Sequence, residues 1–193
     1  VLASRSLLFA ALALGVVASG CATTPVHTTA QAVPAGHVEL GGFGSGILYG
    51  DGDTVGAFAF AVGGSLRAGV TEWLDVGATA DTTTGAMGDA KLELVDDEDV
   101  AVAIDLAAGG TWYGAFQARV PVLVDLPFGE GHRVTLGGGY QQHWSFAGLV
   151  GLAAVNVALV RDHLWLTTGL DAAVTFIGGT LVTQLAVGLR WRT

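Results

Sequence analysis

The stretch Leu181-Val182-Thr183-Gln184-Leu185-Ala186-Val187-Gly188-Leu189-Arg190-Trp191-Arg192 alternates without a break. Leu181, Thr183, Leu185, Val187, Leu189 and Trp191 share one face. Gln184, Ala186, Gly188, Arg190 and Arg192 share the other. Successive side chains of a strand point to opposite faces, whereas helical spacing would bring Leu185 and Arg192 nearly together. The stretch is therefore a strand, with a predominantly apolar face backed by small, amide and cationic side chains.

The same period of two recurs upstream. Phe58, Phe60, Val62, Leu66 and Val70 oppose Gly63, Ser65, Arg67 and Gly69. Leu74 and Val76 oppose Asp75, and Leu92 and Leu94 oppose Lys91 and Glu93. Val102, Ile104 and Leu106 oppose Asp105, Val120, Val122 and Val124 oppose Arg119 and Asp125, Val134 and Leu136 oppose Arg133, and Leu170 and Val174 oppose Asp171. Residues 37–49 put Glu39 on one face with Phe43 and Ile47, and residues 147–160 are apolar on both faces. Ten strands result, near 37–49, 55–69, 73–82, 89–95, 100–111, 115–126, 132–141, 147–160, 164–176 and 181–192. Most have the ~9–11 residues with which a tilted strand crosses a bilayer. An even count returns the C-terminus to the side of the N-terminus, as in single-chain bacterial barrels. Eight strands is the second choice, if 89–95 or the first strand belongs to a loop.

Composition decides which side of the sheet meets water. Of 193 residues, 51% are hydrophobic and 13% charged, where a soluble domain carries about 25% charged. A water-facing surface built from the polar faces above would be sparsely covered. In lipid the apolar faces point outward, and closure into a barrel pairs every strand edge. The expected fold is an antiparallel, up-and-down transmembrane β-barrel over residues 36–193. Its lumen would hold Arg67, Asp75, Lys91, Glu93, Asp105, Arg119, Asp125, Arg133, Asp171, Arg190 and Arg192. Small inward residues such as Gly69, Gly77, Ala101 and Gly188 leave two readings of that lumen, a packed ionic plug or a water-filled bore. Tight turns at 70–72, 96–99, 127–131 and 161–163 would face the periplasm. Looser connections at 50–54, 83–88, 111–114, 142–146 and 178–180 would face outward. Trp73, Trp112, Trp144, Trp165, Trp191, Tyr49 and Tyr140 fall near strand ends, where interfacial rings collect, with Trp73 and Trp165 on the inward register.

The N-terminal segment reads as an address. Arg5 precedes the apolar run Leu7 to Val17, of signal-peptide length. Ala18-Ser19-Gly20-Cys21 follows and resembles a bacterial lipobox, with Ala18 where Leu is usual. That resemblance implies residues 1–20 as a signal peptide, acylation of Cys21 and, with Ala22 in place of Asp, passage to the outer membrane. Residues 21–35 are expected to be a flexible tether. The closing sequence Leu185 to Thr193 resembles the final strand read by the outer-membrane assembly machinery, with Trp191 two residues before the end. Gly69-Val70-Thr71-Glu72 resembles a hairpin turn common in small outer-membrane barrels. These likenesses make outer-membrane lipid and the assembly machinery the expected partners.

Chemistry is sparse. The net charge of −9 and eight scattered Lys and Arg residues exclude a phosphate-tracking stripe, and with it nucleic acid. Cys21 is the only cysteine, so no intramolecular disulfide forms. The five histidines lack zinc-site spacing, and Asp96-Asp97-Glu98-Asp99 lacks the spacing and glycine of a calcium loop. No cofactor or metal is expected. His143-Trp144-Ser145 is similar to the His-x-Ser element of outer-membrane lipid A deacylases, in which His is the base and Ser the nucleophile. The acidic residue that orients the base in that family has no counterpart after Glu130. The expected function is a non-enzymatic outer-membrane barrel lipoprotein with a structural, envelope-interaction or small-pore role. A tethered soluble ligand-binding barrel and a lipid A deacylase-like hydrolase using His143 and Ser145 are the alternatives.

Overall fold

The computed structural model describes residues 28–50, 55–143, 146–176 and 181–193. Ten strands follow one another: β1 (Val38–Gly50), β2 (Val55–Thr71), β3 (Leu74–Asp81), β4 (Gly85–Asp96), β5 (Ala101–Gly110), β6 (Phe116–Pro127), β7 (Arg133–His143), β8 (Phe146–Val160), β9 (Leu164–Thr175) and β10 (Leu181–Arg192). Each pairs antiparallel with its sequence neighbours, and β1 pairs with β10 to close the barrel. The alternative of eight strands is excluded. Closure is in continuous register from Glu39 opposite Arg192 to Gly50 opposite Leu181, so among the described strands no backbone edge is left open.

The chain is inside-out relative to a soluble protein. Phe60, Leu149, Leu185 and Phe176 are 63%, 57%, 57% and 60% exposed, while Asp75, Asp105, Asp125 and Lys91 are at most 1% exposed. All ten strands contribute large exposed apolar residues, so the apolar surface is a continuous belt rather than a patch. The largest such patch on a soluble monomer is typically only ~300–600 Å². Exposed aromatics gather towards both rims. Trp73, Phe128 and Trp191 lie at the end where β1 begins and β10 finishes, called proximal here. Trp112, Tyr113, Phe116, Tyr140 and Phe176 lie towards the opposite, distal end.

The faces that were ambiguous in sequence resolve by burial. Glu39, Phe43 and Ile47 all point inward from β1, and Val150, Leu152, Ala154 and Asn156 point inward from β8. Phe43 packs into space left by glycine on both neighbouring strands. A Cβ on Gly63 would strike the Phe43 ring, and one on Gly188 would sit 2.9 Å from its Cβ.

Two expectations are corrected. The connection expected at 83–88 is only Thr82–Thr84, and β4 starts at Gly85. The Asp81 carboxylate accepts the main-chain N–H groups of Thr83 (2.7 Å) and Thr84 (2.6 Å) as well as the Thr84 hydroxyl. Gly85, at φ +128°, takes a conformation unsuited to larger residues, and its missing side chain lets the Gly110 carbonyl approach. The expected contrast between tight and loose ends is also absent. The longest connections at the proximal and distal ends, between Pro127 and Arg133 and between Gly110 and Phe116, are equally short.

Pro121 sits inside β6, where a closed barrel offers no edge to hide its missing N–H. The β5–β6 ladder runs from Ala101 to Ile104, skips Asp105 and Leu106, and resumes at Ala107. The interruption falls opposite Pro121 and Val120.

Candidate functional site

In the proximal half of the lumen charged and polar side chains form a belt of hydrogen bonds and ion pairs. Glu39 on β1 receives Arg190 Nη1 at 3.1 Å and Arg192 Nη2 at 2.8 Å from β10. Arg190 donates from Nε to Thr167 Oγ1 (3.1 Å) and from Nη2 to Asn156 Oδ1 (2.9 Å). Asn156 donates to Thr135 Oγ1 at 2.9 Å, and Thr135 donates to Asp125 Oδ1 at 2.6 Å. On the other side of Glu39, Arg67 of β2 pairs with Asp75 of β3 and, at 2.5 Å, with Asp89 of β4. Lys91 Nζ lies 3.1 Å from Asp75 Oδ2. Every strand except β5 thus supplies a member. Interlocking matters here because a buried charge deprived of its partner costs several kcal/mol, about 3–5 when one member of a buried pair is removed.

The belt is occupied by the chain itself. Residues 28–35, the last part of the expected flexible tether, lie within the proximal lumen as an irregular strap. Thr28, Thr29, Ala30, Ala32 and Val33 are buried. Three successive main-chain N–H groups donate to three carboxylates: Gln31 to Asp125 Oδ2 (3.4 Å), Ala32 to Glu93 Oε2 (2.9 Å) and Val33 to Asp75 Oδ2 (2.8 Å). Lys91 Nζ donates to the Thr28 hydroxyl (3.1 Å) and to the carbonyls of Thr29 (2.9 Å) and Gln31 (2.5 Å). Gln31 Nε2 reaches Asp96 Oδ1 at 3.3 Å. Ala30 packs with Ala101, Ala103, Leu123 and Leu152.

Two glycines admit the strap. Gly36, at φ +78°, turns the chain from the strap towards β1. Gly69 touches the strap so closely that a Cβ would collide with the Val33 and Pro34 carbonyls. Main-chain bonds Gly36 N to Gly69 O (3.1 Å) and Gly69 N to His37 O (3.0 Å) fix this crossing. The departure from a tether is physical. A segment without apolar periodicity still orders when its main-chain donors meet buried carboxylates, each such bond contributing about 1.5–3 kcal/mol.

The eleven charges expected in the lumen lie on the inward face of their strands. Arg67, Asp75, Lys91, Asp105, Arg119, Asp125, Asp171 and Arg190 are buried, and Glu93, Arg133 and Arg192 are partly so. The belt brings together Arg67, Asp75, Lys91, Glu93, Asp125, Arg190 and Arg192. Arg119 and Asp171 stand farther towards the distal end, on β6 and β9. Asp105, opposite Lys91 in register, has no hydrogen-bond donor on either oxygen.

Sequence reading missed Glu39, Asp89 and Asn156, along with the strap. Parity with Phe43 and Ile47 placed Glu39 on a face of mixed character, so only closure against β10 identified its partners. Trp165, near the start of β9 and on the inward register, belongs to the lumen and not to an outer girdle. It is 8% exposed and lies inside beneath Arg190 and Arg192, whose guanidinium carbons are 5.7 and 4.9 Å from its ring centre. That geometry is a cation–π contact.

Cys21, Trp144, Ser145 and the side chain of His143 lie outside the described residues, as does any signal peptide. The main chain of His143 pairs with Phe146 at the distal end of β7. Among the described residues no cluster of three or more His, Cys, Asp or Glu side chains is placed to hold a metal ion.

No protein-family model matches the chain, and no curated protein matches it. Solved structures do. Neisserial surface protein A is 11% identical, with 81% of this chain and 98% of that one covered at a TM-score of 0.47. The attachment invasion locus protein Ail of Yersinia pestis is 8% identical, with coverages of 82% and 99% and a TM-score of 0.42. The outer-membrane protease OmpT of Escherichia coli is 6% identical, with coverages of 88% and 100% and a TM-score of 0.45.

Proposed function

We propose that this chain is a non-enzymatic outer-membrane barrel lipoprotein, anchored through Cys21 with its N-terminus in the periplasm, whose role is structural or that of a small pore. The carrying observation is the reversal of inside and outside. Large apolar residues from all ten strands face outward, and the charged residues of the strands point inward. In water that outer surface would aggregate. In hydrocarbon it is the favourable surface, with aromatic residues towards both rims at the depth of the headgroups.

The same observation weighs against a tethered soluble barrel, which needs a polar exterior. The proximal end is periplasmic in this reading, because it carries the strap that leads back to Cys21.

The test is expression with Cys21→Ser, which removes acylation without touching the barrel. Aggregation without detergent, recovery in detergent and a heat-dependent shift in gel mobility are expected. A monomer that stays soluble without detergent and shows β-type circular dichroism would overturn the membrane assignment.

A further inference from the structure

We infer that the lumen is a cation passage held shut at its periplasmic end by the chain's own strap, residues 28–35. The inference rests on the outer-membrane reading above. Its first support is the strap's course. It runs from Gly69 on β2, past Asp75 on β3 and Glu93 on β4, to Asp125 on β6, and its Ala30 shares a buried cluster with Leu152 on β8, across the barrel from β3, so it reaches from one side of the mouth to the other.

The strap also measures the opening it fills. An extended chain occupies about 5 Å in the direction of strand spacing and about 10 Å across its side chains. Its removal leaves an opening about one chain wide at the proximal mouth. The side chains it withdraws are small, and its hold on the wall is mostly through hydrogen bonds to charged groups.

The second support is the wall behind the strap. Asp105 on both oxygens, Asp89 on Oδ1, Gln117 on Nε2 and Gln141 on Oε1 are buried atoms without a hydrogen-bond partner. The register orders them along the barrel. Asp105 stands opposite Lys91, Asp89 opposite Ala107, Ala107 opposite Arg119, and Arg119 opposite Gln141, while Gln117 lies opposite His143 nearer the distal end. They form a polar track on β4 to β7, facing a wall of Phe43, Ile47, Ala61 and Val182 on β1, β2 and β10. Buried groups with unmet hydrogen-bonding capacity are costly in a static core. In the closed barrel water does not reach these atoms, and their unmet capacity is what water and ions satisfy once the strap is withdrawn.

Charge sets the sign of the permeant ion. Withdrawing the strap takes main-chain donors from Asp75, Glu93 and Asp125 and a side-chain donor from Asp96, but takes acceptors only from Lys91. Lys91 keeps Asp75 as a partner. The opened mouth therefore gains carboxylate character, and cations are favoured over anions.

The experiment uses full-length protein, exported and purified from outer membranes, in planar bilayers with a KCl gradient. Gly69→Leu drives a side chain into the strap's main chain, and deletion of residues 28–35 removes the strap altogether. The unmodified protein should be silent, and both variants should show stepwise currents with a reversal potential on the cation side. A synthetic peptide of residues 28–36, added from the periplasmic side, should close the deletion channel and have no effect from the other side. Silence of a variant that retains the heat-dependent gel shift, or anion preference, would overturn the gate while leaving the membrane barrel standing. If Gly69→Leu does not fold, the deletion and its block by the peptide decide. Solubility of all forms without detergent would instead defeat the outer-membrane reading.

Discussion

Lys91, on the wall of the barrel, donates from Nζ to the main-chain carbonyl of Thr29 at 2.9 Å, across 62 positions of sequence. A cation that is 1% exposed is thus shared between Asp75 and the strap. Removing its charge takes three donors from the strap and one partner from Asp75, which still holds Arg67. Lys91→Met should free the strap for proteolysis at residues 28–35 while the strands stay protease-resistant, and should lower the urea midpoint of the folded barrel. The loss expected is about 3 kcal/mol, as for one member of a buried ion pair. Limited proteolysis followed by mass spectrometry checks the first outcome, and urea titration in lipid vesicles the second.

The seam between β1 and β10 permits a comparison of ionic with neutral contacts. Glu39 holds Arg190 and Arg192, whereas Gln184 Nε2 donates to Ser45 Oγ at 2.8 Å higher on the same seam. Glu39→Gln leaves the buried Arg190 and the part-buried Arg192 short of a counter-charge, at a cost of about 3–5 kcal/mol. Ser45→Ala removes one neutral acceptor, at a cost of about 1 kcal/mol. Urea midpoints of the two variants should fall in that order, and equal midpoints would deny the belt its role in closure.

The outer face has its own gradient. Val187, near the middle of β10, and Leu181, at its distal end, are both exposed. Arginine at the bilayer midplane costs about 2–4 kcal/mol and near the interface about 0–1. Val187→Arg should therefore destabilise the barrel in vesicles by a few kcal/mol, and Leu181→Arg by much less. Similar effects from both would mean that the face is not graded by depth.

A non-enzymatic role makes His143 and Ser145 dispensable for chemistry. His143→Ala and Ser145→Ala should leave the acylation pattern of lipid A in the host unchanged, as should overproduction of the unmodified protein. Mass spectrometry of extracted lipid A checks this, and loss of an acyl chain that depends on both residues would establish the hydrolase instead.

Alternation made the strands legible, because the outward residues are chosen by hydrocarbon and the inward ones are not. The ends of β1, β2, β6 and β10 fall within two residues of their expected positions. The start of β4 was hidden because Gly85 and Gly88 look like loop residues, while the Asp81 turn that starts the strand is a local side-chain device. Charges on clean strands, such as Arg67 and Asp171, could be placed by parity alone. Parity also puts Trp165 inward, but Glu39, on a mixed face, takes its meaning only from partners brought by closure. The strap was not legible at all. Gln31, Ala32 and Val33 use main-chain N–H groups that every sequence possesses, and their acceptors lie 42 to 94 positions away.

The decisive measurement is the accessibility of spin labels placed singly along β10 in the Cys21→Ser background in lipid vesicles, comparing oxygen with a water-soluble nickel relaxant. Labels at Leu185, Val187 and Leu189 should be relaxed strongly by oxygen and weakly by nickel, and labels at Val182, Gln184 and Ala186 should lack that preference for oxygen. Strong nickel accessibility at Leu185, Val187 and Leu189 would mean that the apolar face meets water, and would contradict a barrel that spans the membrane.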